Sequence, residues 1–262
     1  MHNVHEYIQC GINWLRSALP QSSRKRVSFC SKGEIYEIHV EGKKILAPGI
    51  RRWRTYREGI DARLLSVARR YGLDQLTPQS EDEWVVDVGG YMGECSLYLL
   101  QKGFNVLVIE PDPNAALCLK ENLSRFAPVG RTWLHDPRVA FNEKKEVTFY
   151  SEPSNADGSV FQSSNQKSKP ITLQAEKLDD IVADRIGDKK VRAMKMDAEG
   201  AEPEVLMGAT QVVASCERIG IDAGPERMGE STARECRRVL AEAGFKFPPG
   251  SESSGMVRAS RV

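Results

Sequence analysis

The chain has 262 residues, 40% of them hydrophobic and 28% charged, with a formal net charge of +1. These proportions fit a folded chain with a sizeable core and exclude a disordered or collagen-like one. Near-neutrality gives no global pull toward nucleic acid or a membrane surface, and no apolar run approaches a bilayer span, so neither partner is expected. The six cysteines (Cys10, Cys30, Cys95, Cys118, Cys216 and Cys236) lack metal-ligand or redox-motif spacing and read as buried reduced thiols. No metal site is expected. The N-terminus lacks the apolar core of a signal peptide, and a cytoplasmic enzyme is expected.

Ile8, Ile12, Leu15 and Leu19 recur at helical spacing until Pro20 stops the pattern. A polar stretch follows, with a basic run at Arg24, Lys25 and Arg26. Tyr36, Ile38 and Val40 then alternate with polar residues, Glu41-Gly42 offers a turn, and Ile45-Leu46 returns, which predicts a β-hairpin. Next come Arg51, Arg52, Arg54 and Arg57 around Trp53 and Tyr56. This is either a solvated face or the lining of an anionic or sugar-bearing substrate site, with Trp53, Arg54 and Tyr56 as candidate substrate contacts. A helix is predicted over 59–71. Residues 1–80 therefore read as an N-terminal helix, hairpin and cap extension, and 81–262 as the main domain.

From Trp84 the pattern changes. Strands are predicted at 84–88, 106–109, 131–135, 192–197 and 218–222, with helices between them at 94–102, 113–123, 178–186, 202–209 and 230–243. Segments 145–150 and 170–174 read as strands that pair locally. Residues 245–247 and 256–260 read as two last strands with no helix between them. Such an alternation implies an α/β fold with a largely parallel sheet, helices on both faces and an antiparallel last strand. The polar residues 151–169 read as a mobile loop near the site.

Three blocks carry chemistry. In the first, Val85-Val86-Asp87-Val88 ends in a glycine turn, Asp87-x-Gly89-x-x-x-Gly93, before a helix. Ligands of open α/β sheets bind at such strand ends, and glycine lets the backbone approach them closely. The spacing is not that of a dinucleotide turn, and the acid suits a cationic ligand such as S-adenosylmethionine. In the second, Val106-Leu107-Val108-Ile109 ends in Glu110-Pro111-Asp112. A carboxylate about 20 residues past a glycine turn accepts hydrogen bonds from ribose hydroxyls. The third is Lys195, Asp197 and Glu199 at the end of another strand, before Gly200. These either orient and deprotonate a hydroxyl substrate or simply cap the next helix and pair with one another. Asp222, at a strand end before Gly224-Pro225, is a candidate acceptor contact or a turn residue.

Together the blocks resemble the FkbM family of O-methyltransferases. The turn is similar to the family's D-V-G-A-N-x-G, followed by its E-P-x-P at Glu110, Pro111, Asp112 and Pro113. Leu117, Asn122 and Leu123 fit its next helix, and Leu178-Asp179-Asp180 its L-D-D. Met194 through Glu202, with Val205, Leu206, Gly208 and Ala209, is similar to its K-x-D-x-E-G-x-E block. The resemblance covers about half the chain. It implies a Rossmann-like class I methyltransferase fold with a mostly parallel seven-stranded sheet. It also implies S-adenosyl-L-methionine as cofactor, and methyl transfer to a hydroxyl of a sugar, polyketide or other small metabolite. Asp87, Gly89 and Gly93 would hold the methionine end and Glu110 the ribose, with Gly90, Pro111 and Asp112 completing the cofactor set. Lys195, Asp197 and Glu199 would face the acceptor. Gly90-Tyr91 stands where the family has Ala-Asn, and Ser124-Arg125 follows Asn122-Leu123 where the family has a further Asn. Two rival classes share some of these features: an NAD-dependent oxidoreductase, disfavoured by the glycine spacing, and a methyltransferase fold reduced to a binding module, kept open by the bulk of Tyr91.

Overall fold

A computed structural model describes residues 2–19, 22–151, 158–161, 168–251 and 254–261. Most of the loop expected at 151–169 lies outside the described residues. The chain begins with helix α1 (His2–Ser17) and strands β1 (Val27–Lys32), β2 (Ile35–Val40) and β3 (Lys43–Ala47). A 3₁₀ helix (Ile50–Tyr56) and α2 (Ile60–Arg70) follow. Then come β4 (Trp84–Val88), α3 (Glu94–Gln101), β5 (Asn105–Ile109), α4 (Pro113–Phe126) and β6 (Trp133–Asp136). Strands β7 (Val139–Phe141), β8 (Lys145–Ser151) and β9 (Lys169–Lys177) form a separate small sheet. The chain closes with α5 (Leu178–Ile186), β10 (Val191–Asp197), α6 (Glu202–Met207), α7 (Thr210–Ser215), β11 (Arg218–Asp222), α8 (Ala233–Glu242) and β12 (Met256–Ser260).

The main sheet has the order β12-β11-β10-β4-β5-β6, parallel except for β12 against β11. Side chains alternate across each strand, and two apolar clusters record it. Val85, Val106, Val108 and Ala193 face the cluster that contains α3 and α4. Val86, Val88, Leu107, Ile109, Met194 and Met196 face the one that contains α5 to α8. Helices thus cover both faces, as the doubly wound pattern requires. The first cluster also takes in Ile38, Trp53, Tyr56, Leu64 and Tyr71. The N-terminal elements therefore share their core with one face of the sheet.

Among the described residues the sheet has six strands where seven are expected. At 245–247 only Lys246 bridges Ser260. Gly244 ends the preceding turn with φ +86°, and Pro248-Pro249, which have no backbone N–H to donate, stop the segment from extending along β12. β1 lies in a stretch that reads as merely polar: Val27 and Phe29 turn inward and pair it with β2, making three strands of the predicted hairpin. A close approach on β11 matters for the site. An added Cβ on Gly220 would lie 2.2 Å from the Tyr71 backbone oxygen, so only glycine lets the end of α2 cross the sheet here.

Candidate active site

The strand order reverses between β4 and β10, with β5 and β6 on one side and β11 and β12 on the other. Ligands of open α/β sheets bind outside the carboxyl ends of the strands at such a point. A cavity of about 600 Å³ opens there, within the range of small-molecule sites. Gly89, Gly90, Glu110, Pro111, Asp112, Lys195, Asp197, Glu199 and Asp222 all line it. The structure thus brings together residues from all three blocks of sequence.

Behind the glycine turn lies a buried ion pair. Lys195 stands opposite Asp87 in the β10–β4 register, and its Nζ lies 3.2 Å from Asp87 Oδ1. The same ammonium donates to the backbone oxygens of Val88, at 3.1 Å, and Gly89. Asp87 also accepts from Ser96 Oγ at 2.6 Å. Burial alone would depress the Lys195 pKa, but Asp87 and Asp197 outweigh it and hold the lysine above its ordinary value. Lys195 is therefore a fixed cation that braces the turn, and it has no free pair to act as a base. Asp87 and Gly93 are not among the lining residues and serve from behind.

Gly90 is required by its neighbours. An added Cβ would sit 2.0 Å from Val108 Cγ1 and 3.0 Å from Leu119 Cδ1. Gly90→Ala is expected to destabilise the protein by about 1–3 kcal/mol through overpacking. Val108→Ala in the same chain should recover part of that loss in thermal denaturation. An unchanged Tm for Gly90→Ala would contradict the packing argument.

Glu110, at the end of β5, is buried, and both oxygens face backbone donors. Oε2 accepts from the Tyr91 N–H at 2.7 Å and Oε1 from the Asp112 N–H at 2.8 Å. Each oxygen keeps acceptor capacity for a ribose hydroxyl. Asp112 caps α4 by accepting from the Asn114 and Ala115 N–H groups at 2.9 and 3.0 Å, and it also accepts from Ser151 Oγ. Its first role is to cap the helix.

At the other end of the cavity, β10 and β11 place Asp197 beside Asp222. Tyr71 donates to Asp197 Oδ2 at 2.7 Å, and burial followed by the Asp197 charge pushes the phenol pKa upward, so it remains a donor. Asp222 accepts from Arg70, yet burial and then Asp197 raise its pKa. Glu199 adopts φ 48° in the turn out of the strand, and its backbone oxygen accepts from Ser159 Oγ at 2.7 Å. Glu226, on the loop after β11, also lines the cavity. Its buried Oε2 has no hydrogen-bond partner among the described residues. Burial, then Asp222, Glu202 and Asp197, push this carboxyl up to about 7. Sequence reasoning missed Glu226, because a single acid in a loop carries no spacing signal.

The substrate contacts expected at Trp53, Arg54 and Tyr56 are corrected. None lines the cavity. Trp53 and Tyr56 are three apart in a 3₁₀ helix, so they eclipse on its inner face. Trp53 Nε1 donates to Glu6 at 3.0 Å, Arg54 pairs with Glu6 at 2.9 Å, and Tyr56 donates to Glu94 Oε1 at 2.7 Å. The residue of that segment that does line the cavity is Arg52, joined by Arg63, Ser66, Val67, Arg70 and Tyr71 from α2 and its end. Arg63 forks onto Glu94 at 2.8 and 2.6 Å. In sequence Glu94 reads as an ordinary first-turn acid, because its partner lies 31 residues away.

A glycine turn, the buried Glu110 and a charged strand end meet in one cavity. Residues 87–247, more than half the chain, match the methyltransferase FkbM domain. The chain belongs to the FkbM methyltransferase family. Methyltransferase 1 of Beauveria bassiana (strain ARSEF 2860) is 24% identical over 152 residues, covering 51% of this chain and 61% of that protein. This chain thus matches less than two thirds of that relative's length. Among solved structures, the FkbM methyltransferase of Methylobacillus flagellatus KT aligns at TM-score 0.49 and 20% identity, covering 72% of this chain and 46% of that one. Magnesium protoporphyrin IX methyltransferase of Synechocystis PCC 6803, solved with bound SAM, aligns at 0.46 and 14%, covering 80% and 83%. S-Adenosylmethionine is the cofactor of this FkbM protein, and the glycine turn with Glu110 fits it. Among the described residues, no helix is long and apolar enough to cross a membrane.

Proposed function

We propose that this FkbM methyltransferase transfers a methyl group to a hydroxyl of a small-molecule acceptor, with a sugar or polyketide the favoured class. What carries the reading is the single cavity that runs from the glycine turn and Glu110 to the carboxylates of Asp197, Asp222 and Glu226. When bound, the cofactor supplies an electrophilic methyl group and leaves as a neutral thioether, so the protein has to provide alignment, exclusion of water and removal of a proton. Asp197 is held by Tyr71 and Asp222 by Arg70, which suits both to orienting hydroxyls as acceptors of hydrogen bonds. Glu226 offers an oxygen that no described residue occupies, and we assign it the acceptor's proton.

A carboxyl near 7 is half ionised at working pH, where a general base is most effective. With a hydroxyl acceptor, kcat is expected to fall as pH drops below about 7. Glu226→Gln should lower kcat by roughly 10²–10⁴-fold and abolish that limb, which is the usual span for a positioned base. Asp197→Asn should raise the acceptor KM as well. A Glu226→Gln enzyme with full kcat and an unaltered pH profile would remove the base assignment.

A further inference from the structure

Among the described residues, four cationic side chains line the cavity: Arg52, Arg63, Arg70 and Lys195. Three are matched to carboxylates, Arg63 to Glu94, Arg70 to Asp222 and Lys195 to Asp87. Arg52 has no carboxylate within ion-pair distance among the described residues: Glu94 feels its charge but is forked by Arg63. Its one hydrogen bond there is Nε to the Tyr91 hydroxyl at 3.1 Å, and its guanidinium carbon lies 4.6 Å from the centroid of the Tyr91 ring. The forked Nη groups, the part of an arginine that recognises a carboxylate bidentately, are left without a described acceptor.

Tyr91 belongs to the glycine turn, its N–H is tied to Glu110 Oε2, and its φ is 50°. The turn therefore places an aromatic ring and hydroxyl where they hold Arg52 at the cavity wall. An anion is the ligand that such an unmatched guanidinium calls for. We infer that Arg52 seats the α-carboxylate of the cofactor's methionine moiety and that Tyr91 positions it. This rests on the S-adenosylmethionine reading of the same cavity. It also accounts for the bulky residue of the turn, since Tyr91 serves the cofactor by anchoring its counter-charge.

The test is calorimetric titration of the full chain with S-adenosylhomocysteine and with 5′-methylthioadenosine, which keeps the adenosine and sulfur but lacks the amino acid. Arg52→Ala is expected to weaken S-adenosylhomocysteine binding by roughly tenfold to a hundredfold, as for loss of a charge-assisted pair. Methylthioadenosine affinity should stay within about twofold, which also shows that the variant is folded. Tyr91→Phe should give a smaller loss with the same selectivity. Unchanged S-adenosylhomocysteine affinity in Arg52→Ala, or equal losses for both compounds, would overturn the assignment, and an unchanged Tyr91→Phe would remove the positioning role. A native chain that binds neither compound would refute the cofactor reading itself, and the Arg52 assignment with it.

Discussion

Lys195→Met is expected to destabilise the protein by about 3–5 kcal/mol, the usual result of stripping one partner from a buried ion pair. For a chain of this size that corresponds to a Tm lower by roughly 10 °C. Asp87 would be left with Ser96 as its hydrogen-bond donor in a place where its side chain has 0% exposure. The oxygens of Val88 and Gly89 would lose their donor at the same moment. Methionine fills most of the volume, so the loss reports charge more than packing. The double variant Lys195→Met/Asp87→Asn should be less destabilised than the sum of the single changes, because the orphaned charge is gone. A Tm within a degree or two of the native protein for Lys195→Met would show that the pair is dispensable, and an additive cycle would show that the residues act separately.

Glu110→Ala should weaken S-adenosylmethionine binding by roughly a hundredfold, since hydrogen bonds to a charged acceptor contribute about 1.5–3 kcal/mol. Burial pushes the Glu110 carboxyl up to about 8, even though the Asp112 and Tyr91 N–H groups favour the anion. The folded pKa thus lies above the ordinary 4.5, so this group's contribution to stability is complete below 4.5 and is lost as pH rises through about 8. Ligand binding has the opposite sign. Ribose hydroxyls donate to the ionised carboxylate, so affinity should rise as pH climbs toward about 8, with protons released on binding. Titration at two pH values in buffers of different ionisation enthalpy measures both. Equal affinity in Glu110→Ala, or proton uptake on binding, would place the ribose elsewhere.

The glycine-turn and Glu110 end of the cavity was legible as a place in the fold because its residues sit in short contiguous blocks at strand ends. Asp87 through Gly93 and Glu110 through Asp112 lie where the alternation of strand and helix says a ligand belongs. The opposite wall was not legible. Arg63, Ser66 and Arg70 form a polar helix face, and such a face looks the same whether it meets solvent or a cavity. Lys195 read equally well as an acceptor contact and as a structural partner, and only the β10–β4 register puts it against Asp87. The aromatic segment misled because its period is that of a 3₁₀ helix. The conspicuous Trp53 and Tyr56 turn into the core and leave Arg52 at the cavity.

Tyr71 lines the cavity, hydrogen-bonds Asp197, belongs to the main apolar cluster and occupies the gap over Gly220. One residue therefore belongs to the cavity wall and to the core together. Over evolutionary time such a wall resists drift, since a change that suits a new acceptor also disturbs the core, and few proteins have stability to spare. Diversification of acceptors should then be concentrated on the other rim, around Gly158 and Val160, where Val160 packs against the small third cluster. Related chains with different acceptors would keep the Tyr71 side and vary there.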